Sequence, residues 1–359
     1  MVIKQNGERV VKVRQAISGL LLGTAMGDAL GLPAENLSPE KIRRRWRGEW
    51  KIRLFFGKGM VSDDTEHTLM VAQALLAHDN DVDSFQRALA WKLRWWFAAL
   101  PGGVGLATAR ACIKLWLGFP LSQCGVMSAG SGPAMRSAII GAYFAGDAER
   151  RKSFVLASTR LTHRSWQAEA AALAVAEVAA LTINGCRDFQ EILGSMSAIS
   201  AEPEWRKIIS VMGDSLAAGE TVNGFARRLG LQRGVTGYAL HVVPMAIYAR
   251  LLHGDDFRAG LIAALDCGGD TDTVGAIVGA LMGVSAGEAK IPGEWLNNIW
   301  EWPRSVSYIK KIAERMAEQK SSGRRVGPVN YFWPAVVMRN LFFLVVILVH
   351  GLRRLLPPY

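Results

Sequence analysis

The sequence predicts an all-α protein: one compact orthogonal helical domain over residues 14–303, a charged helix and linker over 304–330, and a hydrophobic C-terminal tail over 331–359. Three observations predict this. Apolar residues recur at helical spacing in segment after segment. No series of alternating strands is joined by hairpin turns. Half of the 359 residues are hydrophobic, enough for a large core.

The elements follow in order. The opening "MVIKQNGERVVKVRQ" is polar, with none of the apolar stretch of a secretion signal. In "GTAMGDALGLPAEN", Gly23 and Gly27 stand four apart, which lets a helix pack closely. Asp28 reads as a buried, hydrogen-bonded carboxylate, and Glu35, past Pro33, is freer to reach a site. Residues 38–60 are basic and punctuated by glycine, and are expected to form a surface loop. "TEHTLMVAQALLAHD" places Leu69, Ala72, Leu75 and Leu76 on one stripe, and "FQRALAWKLRWWFAAL" sets its tryptophans at helical spacing. "ALPGGVGLAT" and "MSAGSGPAMR" are glycine loops that open helices. "SWQAEAAALAVAEVAALTI" is a helix; "VVPMAIYARLLHG" and "VGAIVGALMGVSAG" are apolar all round and belong inside. "TGYALHVV" resembles a short strand but runs into a helix.

The tail holds nine unbroken apolar residues, Leu341 to Val349. A full span needs about 20 residues. Extending back to Tyr331 supplies that length at the expense of enclosing Arg339, which is costly in hydrocarbon. Three readings stay open: a core or interface helix, an anchor on an anionic membrane surface, or a true span.

Net charge is +11, gathered in 41–53 and from Arg304 to Arg325, which favours anionic partners. Trp46, Trp50 and Phe55 in the first cluster are of the kind that stack on bases. Nucleic acid is nevertheless the poorer fit, against a solvated basic face beside an anionic substrate. Four cysteines lie far apart with no C-x-x-C pair, so neither a zinc site nor a disulfide framework is expected. The setting they imply is reducing and cytoplasmic, with membrane association left open by the tail.

The chemistry concentrates in two stretches. "SDDT" (Ser62, Asp63, Asp64, Thr65) and "GGDTDT" (Asp270, Asp272 and Thr273 among them) each precede an apolar helix. One cap needs one such residue. Paired carboxylates between hydroxyls exceed that need, and their repulsion calls for a counter-charge. Hard oxygen donors without histidine or cysteine point to Mg²⁺, Mn²⁺ or Ca²⁺. The aspartates, with Ser62 and Thr273, are suited to hold two such ions between two helix starts. "AGSGPAMR" puts Ser131 between glycines with Pro133 opening a helix, a weak phosphate-binding pattern. His163 and Tyr238 each have an equally plain reading as packed core residues.

With these pieces in this order, the chain resembles the ADP-ribosylglycohydrolase family, dinitrogenase-reductase-activating glycohydrolase type. The resemblance rests on "GTAMGDALGLPAE", "SDDTEHT", "AGSGPAMR", "LTH", "TGY" and "GGDTDTVGAIVGALMG", over roughly residues 17–300. It implies an all-α fold with two Mg²⁺ ions (Mn²⁺ as substitute) in a cleft. Ser62, Asp63 and Asp64 would form one metal group, and Asp270, Asp272 and Thr273 the other. Glu35 would reach the metals and the ribose; Glu35 or Asp64 would act as base. Ser131, Gly132 and Met135 would hold the diphosphate, His163 would contact ADP-ribose, and Tyr238 would lie beside the adenine. The implied substrate is an ADP-ribosylated protein or a small ADP-ribosyl adduct. Two departures stand out: Gly103 occupies the place of an aspartate in arginine-directed members, and Ser131 that of a more usual asparagine. The alternative is a non-catalytic ADP-ribose-binding relative recruited to a membrane.

Overall fold

The computed structural model describes residues 2–355, with side chains from residue 11 onward. Among the described residues the chain forms nineteen α-helices and two 3-10 turns, with only isolated bridges between extended segments. The architecture is all-α, and it is organised around one antiparallel helix pair.

That pair is Val2–Gly31 and Thr271–Ala286. Gly19, Gly23 and Gly27 meet Gly283, Gly279 and Gly275 in turn. A methyl group built on Gly23 would sit 2.1 Å from the Gly279 carbonyl oxygen, and one on Gly27 would sit 1.8 Å from that of Gly275. Any side chain there would drive the helices apart. The register has a functional consequence: the end of the first helix lands on the start of the second. Thr271 Oγ1 donates to the Gly31 carbonyl at 2.8 Å, so the segment leaving Gly31 passes beside Asp270.

The apolar helices Trp166–Ile183 and Ala239–His253 pack around this pair. Helix Val306–Ser322 lies along the first helix and buries Ile309, Ile312, Ala313 and Met316 in the same core. Its charged face is the outer one.

Residues 38–60 differ from the expected loop. Ser38 caps a helix, Pro39–Trp46, and the segment buries Trp46, Trp50, Ile52 and Leu54 while Arg43, Arg44 and Arg47 are exposed. Trp50 Nε1 donates to Asp266 Oδ1 at 2.7 Å. The pattern was hidden because the buried apolar side chains, Ile42 and Met60 included, are spread through a basic run. Trp46 and Trp50 are therefore spent in the core and offer no stacking face.

The tail forms one helix, Trp333–Arg353; residues 356–359 lie outside the described residues. Val336, Phe343 and Val346 face inward with Arg339 and Asn340. Asn340 Nδ2 donates to the Ala99 carbonyl at 2.9 Å. Leu341, Val345, Leu348, Val349 and Leu352 form an exposed apolar stripe on the other face. Among the described residues, three helices are long and apolar enough to cross a bilayer: Val11–Ala34, Trp166–Ile183 and Trp333–Arg353. The first is wholly enclosed by protein, which accounts for its hydropathy without a membrane.

Candidate active site

Helix Asp63–Ala77 begins at Ser62, whose Oγ accepts from the Asp64 N–H at 3.3 Å. Its position is fixed by Asp28 from the central pair. Asp28 accepts from the Ser62 N–H (2.9 Å), the Thr65 N–H (3.1 Å) and Thr65 Oγ1 (2.5 Å). Burial nonetheless lifts its carboxyl to about 6, outweighing those bonds. Asp28 is thus the buried, hydrogen-bonded carboxylate that its sequence context suggests.

The two acidic stretches meet. Asp64 Oδ2 accepts from Ser62 Oγ at 3.1 Å and from Thr273 Oγ1 at 3.3 Å. One hydroxyl therefore comes from each cluster, with 209 positions separating Asp64 from Thr273. The other oxygens, Asp64 Oδ1 and Asp272 Oδ1, are buried and have no hydrogen-bond partner. Asp63, Asp64 and Asp272 are all held well above the usual carboxylate range. Burial is the main cause for each; next come Asp28 for Asp63, Asp63 for Asp64, and Glu35 for Asp272. Among the described residues, no three Asp, Glu, His or Cys side chains already close into a ligand set, and the clusters join through hydroxyls.

Buried anionic oxygens without donors are costly. They lose their protons only if positive charge arrives. The donor set, carboxylates and hydroxyls alone, fits hard divalent cations such as Mg²⁺ or Mn²⁺. Ser62, Asp63, Asp64, Asp270, Asp272 and Thr273 are the residues able to hold them.

Glu35 sits half-buried at the edge of this cluster. Burial, then the charge of Asp270, raises its carboxyl, and Arg354 opposes them. The segment is clamped from both sides. The Asn36 N–H donates to the Gly269 carbonyl at 2.7 Å. Arg354 Nη1 and Nη2 donate to the carbonyls of Glu35 (2.8 Å) and Pro33 (2.9 Å). The sequence held no sign that the tail reaches this loop.

The remaining candidates sit on segments joined in one backbone framework. Segment 235–238 ties it together: the Asp270 N–H donates to the Val235 carbonyl at 2.8 Å, and the Ser131 N–H to the Gly237 carbonyl at 3.1 Å. Gly130 and Tyr238 pair in a single bridge. Thr68 Oγ1 donates to the Met135 carbonyl at 3.0 Å, joining the loop to the acidic helix. His163 lies beneath the glycines: a Cβ on Gly130 or Gly132 would stand 3.0 or 3.2 Å from its ring. Tyr238 is half-buried and donates from its hydroxyl to Glu204 at 2.9 Å.

The glycine loop opens a helix, Gly132–Met135, of only four residues, too short for a useful dipole, and the Ser131 N–H is engaged by Gly237, so any anion there would rest on the loop itself.

Arg136, which closes the "AGSGPAMR" stretch, went unremarked in the sequence. It is fully buried and donates to His67 Nδ1 (2.9 Å), Ser158 Oγ (3.1 Å) and Thr162 Oγ1 (2.8 Å). Burial, then Arg136, pulls the His163 imidazole down to about 3, so His163 is neutral. A Cβ on Gly103 would stand 4.0 Å from Asp63 Oδ1, with φ at +79°.

A family model described as ADP-ribosylglycohydrolase matches residues 10–325. A protein of Archaeoglobus fulgidus, named only as uncharacterized, is 28% identical over 310 residues, covering 83% of this chain and 94% of that protein. The ADP-ribosyl-[dinitrogen reductase] glycohydrolase of Rhodospirillum rubrum is 26% identical over 291 residues, covering 78% and 89%. A solved structure titled ADP-ribosylglycohydrolase-related protein complex superposes with a TM-score of 0.63 at 25% identity, covering 86% of this chain and 99% of that one.

Proposed function

The chain belongs to the ADP-ribosylglycohydrolase family and is a hydrolase of that type; from that premise we propose that it cleaves the bond at the ribose anomeric carbon of ADP-ribosyl adducts and releases ADP-ribose in a Mg²⁺-dependent reaction. The adduct is an ADP-ribosylated protein or a small molecule of the same chemistry. The observation that carries the reading is the junction at Asp64: a hydroxyl from each acidic cluster on one oxygen, and unpartnered buried oxygens on Asp64 and Asp272.

Ser62, Asp63 and Asp64 would hold one ion and Asp270, Asp272 and Thr273 the other. When bound, the cations supply Lewis acidity and a grip for vicinal ribose hydroxyls. Glu35 is the general base: its raised carboxyl accepts a proton readily once ionised, and both carbonyls of its loop are pinned. Asp64 is the competing assignment for that role. Carboxylates around the ring also stabilise the positive charge that develops there. The Ser131, Gly132 and Met135 loop would receive the diphosphate. His163, neutral beneath that loop, contributes a polar edge without charge. Tyr238 would flank the adenine.

The test is turnover of ADP-ribosylated arginine, ADP-ribosylated serine and O-acetyl-ADP-ribose, with and without Mg²⁺, alongside Asp63→Ala and Asp270→Ala. Metal-dependent release of ADP-ribose should vanish in both variants. Survival in both would mean that the site is elsewhere. Tight binding of ADP-ribose without turnover of any substrate would identify a binding relative instead. Gly103 stands where arginine-directed members carry an aspartate, so a guanidinium loses that partner and the arginine adduct should be the poorer substrate.

A further inference from the structure

One turn below Asp63, on the far side of Glu66, lies a cavity of about 380 Å³ that the proposed chemistry does not use. Helix Val82–Ala98, the segment before the tail helix and the first turns of that helix enclose it. Its walls are aromatic: Trp91, Trp95, Trp96, Tyr331 and Trp333. Trp95 meets Trp91 and Trp333 edge-on, with ring centroids 5.7 and 5.2 Å apart. Trp91 is 57% exposed, so the cavity opens to solvent.

The charges beside it do not balance. Glu66 is paired with Arg304 and Arg339, and Glu301 with Arg339. Two carboxylates thus answer two guanidinium groups. Lys92, which also lines the cavity, is left over. Its half-buried ammonium has no hydrogen-bond or ion-pair partner among the described residues. Burial alone pulls its pKa below the usual lysine value, as befits a cation whose lost hydration nothing offsets.

We propose that this cavity is a second ligand site, for an aromatic monoanion whose carboxylate or sulfonate pairs with Lys92 while its ring lies among the indoles. Indole walls hold flat apolar rings in edge and offset contacts. A single negative charge makes the local balance neutral. Trp96 donates its N–H to Glu66, and Met70 of the same acidic helix also lines the cavity, so the cavity abuts that helix directly. The assignment stands independently of the reaction at the acidic cluster.

The probe is 8-anilinonaphthalene-1-sulfonate, titrated into the full chain by calorimetry and fluorescence. Its control is N-phenyl-1-naphthylamine, the same ring system without the sulfonate. The sulfonate should bind one-to-one, at least tenfold tighter than the neutral compound. Lys92→Met should remove that difference and leave the neutral compound unchanged, whereas Lys92→Arg should retain it. Trp91→Ala should weaken both compounds. Lys92 is partly exposed, so a melting curve within about 2 °C of the parent protein certifies the fold of each variant. Equal affinity of the parent and Lys92→Met for the sulfonate overturns the proposal. So does binding only at several weak sites indifferent to Lys92, which would place the dye on the exposed stripe of the tail helix.

Discussion

Replacing Arg339 by methionine tests how the tail helix is attached. The guanidinium is 1% exposed. Its Nε donates to Glu301 Oε1 at 2.7 Å and its Nη2 to Glu301 Oε2 at 2.6 Å. Nη2 also donates to the Val61 carbonyl at 2.6 Å, immediately before Ser62. Methionine keeps the length and apolar stem and removes every donor. Glu301 would then retain the Val61 N–H (3.2 Å) as its support, a buried carboxylate without a counter-ion. Breaking a buried pair from one side costs about 3–5 kcal/mol. Unfolding entropy near 2.1 cal/mol/K per residue gives roughly 0.75 kcal/mol/K for 359 residues, so the melting temperature should fall by about 4–7 °C. Differential scanning fluorimetry reads this directly. Replacing Glu301 by leucine in the same chain should return part of the loss, because two apolar side chains leave no stranded charge. A melting point for Arg339→Met within 1 °C of the parent would refute the docking and reopen the anchor readings of the tail.

Three further outcomes follow from the same structure. Asp272→Asn removes a carboxyl whose ionisation burial and its neighbours oppose, so it should raise the ion-free melting point; it should also abolish the Mg²⁺ increment, which for the parent at a hundredfold excess over Kd is about 2.7 kcal/mol. Arg354→Gln should lower kcat about tenfold with unchanged ADP-ribose affinity, measured by calorimetry, because Arg354 holds two backbone carbonyls of the Glu35 loop. His163 should stay neutral at pH 5 in imidazole ¹⁵N spectra, since its folded value is near 3 against an ordinary 6.5. The unfolded chain holds the proton between those values, so this residue's contribution to stability is complete above about 6.5 and is lost as pH falls toward 3. Titration of His163 near 6.5 would mean that it is not enclosed.

How much of this was legible in the sequence depended on whether a feature announces itself locally. Gly23 and Gly27 at a four-residue spacing did so, because only a close partner explains glycine inside an apolar helix. "SDDT" and "GGDTDT" did so as well, since their carboxylates exceed what a helix cap needs. Two other things stayed hidden. The partner of Gly27 is Gly275, and nothing local pairs residues that distant. The ion pairs Glu66–Arg304, Glu301–Arg339 and the clamp of Arg354 on Glu35 are long-range too, and charged residues in sequence look alike whether solvated or buried. Arg339 was legible as costly in hydrocarbon, but its answer in Glu301 was not. The basic run at 38–60 misled for the converse reason: its buried side chains are a minority in a charged stretch.

The distribution of hydrogen-bond donors separates the carboxylates by task. Asp28 accepts four bonds from two residues at the start of helix Asp63–Ala77, and its effect is to hold that helix end against the central pair. The fold that spends four bonds there leaves Asp64 Oδ1 and Asp272 Oδ1 with none, a few residues away. Random packing would not sort donors this way, since burial penalises both kinds of oxygen alike. A chain under selection for stability alone would replace Asp272 by asparagine, which removes the repulsion. The arrangement makes physical sense if the unpartnered oxygens wait for cations. In that case the instability of the ion-free cluster is the binding energy held in reserve, and the well-bonded Asp28 is the rigid support that keeps the two helix starts at the spacing those cations require.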